Sequence, residues 1–175
     1  MLRAVSIRHV LQSLLVRQSM ALGETWDEKY PHDWLIWEAG AARPSTMGVN
    51  VSTTQVPNAP NPAPSADADS LCFELVAQAG KVRVGRALQN DIVIPDATVS
   101  REHLVLEQAD GRWMGSALPS SRATKFSVTS EPVTEDRPMP LSSGDRVTLG
   151  SVTLTYLSAA ALKARVLAEA RRFTR

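Results

Sequence analysis

The hydrophobic pattern between residues 71 and 157 is that of a series of short β-strands. Val82 and Val84 alternate with Lys81 and Arg83, and similar short runs follow, separated by glycine, proline or Asp-Gly. Alternation with a period of two is typical of a strand that buries one face. Many such strands at close spacing predict an all-β sandwich of short antiparallel strands.

Several turns in this pattern can be placed individually. Leu104 and Leu106 share one face of a strand, which we expect to point into the core, and Asp110-Gly111 then predicts a hairpin. Gly150-Ser151 predicts a tight turn between the last two strands. The sandwich therefore extends to about residue 157.

Composition divides the chain into four segments: a helical or irregular segment with three of the four tryptophans at 1–43, a Pro-rich polar segment at 44–70, the strands at 71–157, and good helix formers at 158–175. A Pro-rich polar segment buries too little apolar surface to offset the entropy of ordering it. We therefore predict a linker over 44–70 and a C-terminal helix.

Both helical segments carry a candidate apolar stripe. The C-terminal stripe is expected to dock on the sandwich and contains Leu162, Val166 and Leu167. The N-terminal stripe is that of a short amphipathic helix and contains Leu11, Leu14, Leu15 and Gln18. The arginine-rich, acid-free N-terminus is also compatible with a transit peptide. The tryptophans Trp26, Trp34 and Trp37 either anchor a partner or pack against the sandwich.

Charge and cysteine content narrow the function classes. The net charge of +1 gives no overall signature of nucleic-acid binding, and we rank the basic C-terminal tail last as a nucleic-acid contact. A single cysteine, Cys72, excludes an internal disulfide, and we expect it to be a packing residue in a cytoplasmic protein. No apolar run approaches the ~20 residues of a spanning helix, so no membrane insertion is expected. No metal site is expected, because His9 and His32 have no partner ligands at a suitable spacing. No cofactor is expected, because the sequence contains no phosphate-binding loop.

The candidate ligand-binding residues lie between Gly85 and His103. Gly85-Arg86 ends a strand, Asn90-Asp91 forms a turn, and Ser100-Arg101-Glu102-His103 follows a short apolar strand. This order places a guanidinium and a hydroxyl on neighbouring loops at one end of a sheet. Guanidinium forks and hydroxyls together are the usual donors for a phosphate dianion.

The whole pattern resembles the forkhead-associated (FHA) domain, a module that reads phosphothreonine in partner proteins. The resemblance includes this run, Trp113, Leu141-Ser142-Ser143-Gly144-Asp145 and Leu149-Gly150. It implies that Arg86 contacts the phosphate and the peptide backbone, that Ser100 donates to a phosphate oxygen, and that Arg101 adds charge. It also implies structural roles for Gly85, Asn90, His103, Gly144 and Asp145.

One part of the family pattern is altered. Where the family has an Asn-Gly turn that grips the peptide backbone, this chain has Arg122-Ala123, preceded by Ser121. Ser121 can still donate to a phosphate, whereas Arg122 has no acceptor and cannot replace an amide that both donates and accepts. We expect Ser121 and Arg122 in the site, with altered selection of peptides.

The resemblance implies a binding protein and not an enzyme: a phosphothreonine-dependent interaction module in bacterial signalling or secretion regulation. The partner it implies is a phosphothreonine-containing protein, either a Ser/Thr kinase or its substrate, or a component of a secretion system. The alternative is a degenerate FHA scaffold subunit that binds its partners without phosphate.

Overall fold

The computed structural model describes residues 9–39, 69–118, 124–126, 129–133 and 137–173. Nearly all of the predicted linker at 44–70 lies outside these ranges. The described residues form two sheets and three α-helices.

The helices lie toward the two ends of the chain, and most of the strands lie between them. The N-terminal part contains β1 (His9–Leu11), α1 (Gln12–Leu22), a 3₁₀ turn (Gly23–Thr25), α2 (Trp26–Lys29) and β2 (Trp34–Trp37). The next strands are β3 (Leu71–Glu74), β4 (Lys81–Gly85), β5 (Ile92–Val93), β6 (Leu104–Ala109) and β7 (Arg112–Ala117). They are followed by β8 (Thr124–Phe126), β9 (Thr129–Val133), β10 (Met139–Pro140), β11 (Arg146–Leu149), β12 (Val152–Leu157) and α3 (Ala159–Phe173).

The strands form a two-layer sandwich. The larger sheet has the order β1-β3-β2-β12-β11-β8-β9, and the smaller has the order β10-β7-β6-β4-β5. Neighbouring strands are antiparallel except β4 and β5. The predicted mostly antiparallel sandwich with a C-terminal helix is confirmed.

The main core lies between the two sheets. Leu104 and Leu106 are fully buried there, as their alternation predicted. The predicted hairpin joins β6 to β7 with positive φ at both turn residues, 51° at Asp110 and 74° at Gly111. This is the backbone that a two-residue turn needs to match the twist of the strands.

The tryptophan-bearing segment is part of the sandwich itself. The sequence pattern did not predict β2, which lies inside the larger sheet between β3 and β12. Trp26, Trp34 and Trp37 are all buried, so they act as packing residues and not as exposed anchors.

A second apolar cluster covers the outer face of the larger sheet. In α3 it uses Leu162, Val166 and Ala170, so the predicted stripe is right at two positions, while Leu167 is only half-buried. In α1 the buried positions are Gln12, Leu15, Val16 and Ser19. The predicted N-terminal stripe is wrong at Leu11 and Leu14, both 45% exposed, because α1 packs against α3 through the neighbouring face.

Cys72 lies in β3 within this second cluster and is fully buried. Burial raises the pKa of its thiol to about 12, so it packs as a small apolar group. Within the described ranges, no helix is both long and apolar enough to cross a membrane.

Candidate functional site

Two loops are joined side by side at one end of the smaller sheet. The first follows β4 and begins at Arg86; the second follows β5 and ends before β6. The backbone N–H of Arg86 donates to the Ser100 carbonyl at 2.9 Å, and that of Ala87 donates to the Arg101 carbonyl at 3.0 Å. These bonds fix the spacing of the loops that carry Arg86, Ser100 and Arg101.

A glycine and an asparagine permit this close approach. A Cβ on Gly85 would lie 2.4 Å from the carbonyl oxygen of Arg101, so no other residue fits without moving the loop. Asn90 is buried, and its side-chain amide donates to the carbonyls of Ala87 at 2.7 Å and Arg101 at 2.6 Å. The turn-forming Asn90 therefore links the two loops as well as closing its own turn.

His103 contacts the second loop from inside the protein. Its side chain is fully buried, and Nδ1 accepts the backbone N–H of Ser100 at 3.0 Å. Because Nδ1 is the acceptor here, the proton of the neutral ring resides on Nε2. The ring therefore holds the backbone at Ser100 in place.

The loops surround an open concavity of about 500 Å³. It is lined by Arg86, Gln89, Ala97, Thr98, Val99, Ser100, Arg101 and Glu102. Arg86 and Arg101 are exposed, Ser100 is half-buried, and Arg86 Nε donates to the Val99 carbonyl at 3.1 Å. That bond uses one of the five guanidinium donors. The structure thus brings together Arg86, Ser100 and Arg101, the central residues of the predicted site.

The other two predicted binding residues, Ser121 and Arg122, lie outside the described residues. Their part in the site stays a prediction.

A cluster that the sequence did not point to fastens the second loop to the turn between β11 and β12. Thr98 Oγ1 lies 2.6 Å from Asp96 Oδ1 and 2.8 Å from Ser151 Oγ, and it accepts the Ser151 backbone N–H at 2.9 Å. The Thr98 N–H also donates to Asp96 Oδ1 at 2.9 Å. The local Asp-x-Thr turn is a recognisable sequence signal. Ser151, 53 residues away, is not.

Gly144 and Asp145 lie away from the concavity. Gly144 has φ of 100°, and the Asp145 carboxylate accepts the backbone N–H of Ser142 at 2.8 Å. The Gly144 backbone N–H donates to the carbonyl of Tyr156, near the end of β12, and the Asp145 carbonyl accepts the Tyr156 N–H, both at 2.8 Å. The start of β12, beside Ser151, is the end that faces the concavity. The Gly144-Asp145 turn therefore stabilises the opposite end of the sandwich.

This arrangement defines a class of protein. Two exposed guanidinium groups and a hydroxyl, on loops joined by backbone hydrogen bonds, give this β-sandwich the donors that an anion-binding site needs. No cluster of three or more His, Cys, Asp or Glu suited to a metal ion occurs among the residues described above.

The family model of the FHA domain matches residues 82–150, and this part of the chain is an FHA domain. The resemblance noted in the sequence is thereby confirmed. FHA domains are protein-interaction modules.

Several solved structures are similar to the chain. One is Mycobacterium tuberculosis EmbR in complex with a low affinity phosphopeptide, at 26% identity over 50% of this chain and 21% of that chain, with a TM-score of 0.43. Another is the FHA domain of an Arabidopsis thaliana hypothetical protein, at 30% identity over 51% and 74%, with a TM-score of 0.43. A third is the FHA domain of CT664 from Chlamydia trachomatis, at 16% identity over 72% and 97%, with a TM-score of 0.45.

The chain thus spans about a fifth of the length of the EmbR chain. Because these TM-scores are below 0.5, the family assignment rests on the match at residues 82–150 and not on the structural likenesses. No curated protein matches the chain.

Proposed function

We propose that this protein is a phosphothreonine-dependent interaction module. The observation that carries the proposal is the meeting of Arg86, Ser100 and Arg101 around one open concavity of an FHA domain. A phosphothreonine brings a charge near −2 and three strong acceptor oxygens. The site offers matching donors, on loops whose spacing is fixed by backbone hydrogen bonds.

The expected affinity follows from these donors. Each hydrogen bond to a charged group contributes about 1.5–3 kcal/mol. Three such bonds approach the roughly 8 kcal/mol of a micromolar complex. Binding of that strength is reversible on the timescale of signalling.

The proposed partner is a phosphothreonine-containing protein, either a Ser/Thr kinase or its substrate, or a secretion component, in the cytoplasm of a bacterium. The proposed role needs no catalysis, because recognition of a phosphate requires only donors and charge. The phosphopeptide in the EmbR structure belongs to that protein and serves here as a model for the kind of ligand to test.

The test is a titration of a phosphothreonine peptide library against the wild type and Arg86→Ala, with each hit repeated as its unphosphorylated peptide. We expect micromolar binding that needs the phosphate and that falls more than tenfold in Arg86→Ala, since about 1.4 kcal/mol corresponds to tenfold. Arg112→Ala is the matched control, because Arg112 is exposed at the far end of the same sheet, in the β6–β7 hairpin.

Equal binding by the wild type and Arg86→Ala would contradict the proposal. Binding that is indifferent to the phosphate would instead support the phosphate-independent scaffold.

A further inference from the structure

A second concavity of about 290 Å³ adjoins the first. It is lined by Gln78, Ala79, Lys81, Arg83, Gln89 and Asp91. Gln89 lines both concavities, so they share a rim. Gln89 is therefore the residue that a ligand extending from the first concavity into the second would cross.

Two of the charged groups that line the second concavity already have partners within the protein. Lys81 Nζ pairs with Glu107 at 2.9 Å across the sheet. The Asp91 carboxylate accepts the backbone N–H of Arg83 at 2.8 Å and so caps the edge of β4. Arg83 is exposed, and its guanidinium has no carboxylate partner among the described residues. Arg83 is therefore the cation in this concavity that remains available to a ligand.

The spacing of Arg83 and Arg86 suits one continuous peptide. The two residues are three apart along β4 and its end, which corresponds to about 10 Å at the rise of a strand. An extended peptide covers that distance in about three residues. A peptide whose phosphate lies beside Arg86 thus reaches Arg83 with a side chain a few residues away.

We propose that the second concavity binds an acidic side chain of the same phosphothreonine-bearing partner, and that Arg83 is the specificity-determining residue. This proposal rests on the proposed function. A carboxylate paired with an exposed guanidinium is expected to change affinity by about twofold to fivefold, because solvent screens the pair. The second concavity therefore selects among phosphopeptides, whereas the first supplies the requirement for phosphate.

The experiment uses the full chain and pairs of phosphothreonine peptides, in which one Glu or its neutral counterpart Gln occupies each of four positions on either side of the phosphothreonine. Calorimetric titrations compare the wild type, Arg83→Gln and Arg112→Gln. We expect the wild type to prefer Glu at one or two positions by about twofold to fivefold, with a smaller preference at high salt. Arg83→Gln abolishes the preference and keeps phosphate-dependent binding, while Arg112→Gln behaves as the wild type.

Equal affinity for Glu and Gln peptides at every position, or a preference that survives in Arg83→Gln, would overturn the assignment of Arg83 and leave phosphothreonine binding intact. A wild type that binds no phosphothreonine peptide would overturn both proposals. Thermal unfolding of Arg83→Gln should match the wild type, since the side chain is exposed.

Discussion

The side-chain amide of Asn90 donates a 2.6 Å hydrogen bond to the carbonyl oxygen of Arg101, the residue that brings the second guanidinium to the concavity. Its other amide hydrogen is donated to Ala87 at 2.7 Å. Both donors are therefore used to hold the protein's own backbone. Asn90 thereby fixes the distance between the two loops that line the concavity.

Asn90→Asp tests this positioning role, because the carboxylate has nearly the same shape and cannot donate. It would also place a buried negative charge beside two carbonyl oxygens. We expect a loss of about 2–3 kcal/mol in the free energy of unfolding, measured with urea, and weaker binding of phosphothreonine peptides. Gln89→Glu makes the same chemical change at an exposed neighbour and should leave stability within about 0.5 kcal/mol of the wild type. Equal stability of Asn90→Asp and the wild type would contradict this role.

Gly150 provides a test of how tightly the second loop lies on the β11–β12 turn. Its φ is +62°, and a Cβ there would lie 2.4 Å from the Thr98 carbonyl oxygen. Gly150→Ala must therefore move the loop that carries Ser100. We expect a cost of about 2–4 kcal/mol in unfolding free energy and a loss of peptide affinity.

The matched control for this change is Gly111→Ala. Gly111 also has positive φ, at +74°, but a Cβ there meets nothing within 4 Å. It isolates the backbone strain, which is about 1 kcal/mol. If urea unfolding gives the same loss of stability for Gly150→Ala and Gly111→Ala, the Thr98 loop moves without an energetic cost and the prediction is contradicted.

The fold could be predicted from sequence where strands alternate and turns are local. The Asp110-Gly111 hairpin and α3 follow from such signals. Strand β2 gives no alternation, because all four residues from Trp34 to Trp37 are buried. A strand covered on both faces has the pattern of a continuous apolar run, and its neighbour β3 is more than thirty residues further along the chain.

The candidate site shows the same division between local and distant information. Arg86, Ser100 and His103 lie within one short stretch, so the residue types and their order indicate the loops. The contact between Thr98 and Ser151 joins positions 53 residues apart and depends on how the two sheets are stacked. Sequence alone therefore indicated the candidate binding residues and the bracing roles of Asn90 and His103, but not the contact with Ser151 that fastens the loop to the other sheet.

Thr98→Val removes the hydroxyl of this contact while preserving the shape of the side chain. The change leaves the Ser151 N–H and the Asp96 carboxylate without this partner, so we expect a loss of about 1–3 kcal/mol in stability. Because the adjacent Ser100 loop is loosened, phosphopeptide affinity should fall severalfold. Thr98→Ser keeps the hydroxyl and is the control for binding. Peptide titration measures the affinity, and hydrogen exchange of the Ser151 amide measures the loosening of the contact. Exchange as slow in Thr98→Val as in the wild type would contradict the expectation.

The N-terminal segment should be required for folding of the FHA sandwich. Trp34 is fully buried in β2, in the interior of the larger sheet. Trp34→Ala is expected to lower the free energy of unfolding, measured with urea, by about 3–5 kcal/mol.

A fragment of residues 71–157 lacks β2 between β3 and β12, and we expect it to show no cooperative unfolding by circular dichroism. The substitution Met20→Ala, in an exposed residue of α1, should change stability little. A cooperative fragment would show that β2 is dispensable.

The pairing of Glu38 with Arg165 predicts a pH-dependent contribution to stability. Both carboxylate oxygens of Glu38 accept guanidinium hydrogen bonds at 2.6 Å, and these bonds hold the pKa of Glu38 below its usual value. A lowered folded-state pKa stabilises the protein above the unfolded value near 4.3, and the contribution is lost as pH falls through the folded value. The pair is one-third exposed, so we expect Glu38→Gln to cost only about 1 kcal/mol at pH 7, and progressively less below about pH 4. Urea unfolding across this pH range measures the cost of Glu38→Gln, with Asp27→Asn in the more exposed Lys163 pair as the control. A cost for Glu38→Gln that does not change with pH would contradict the prediction.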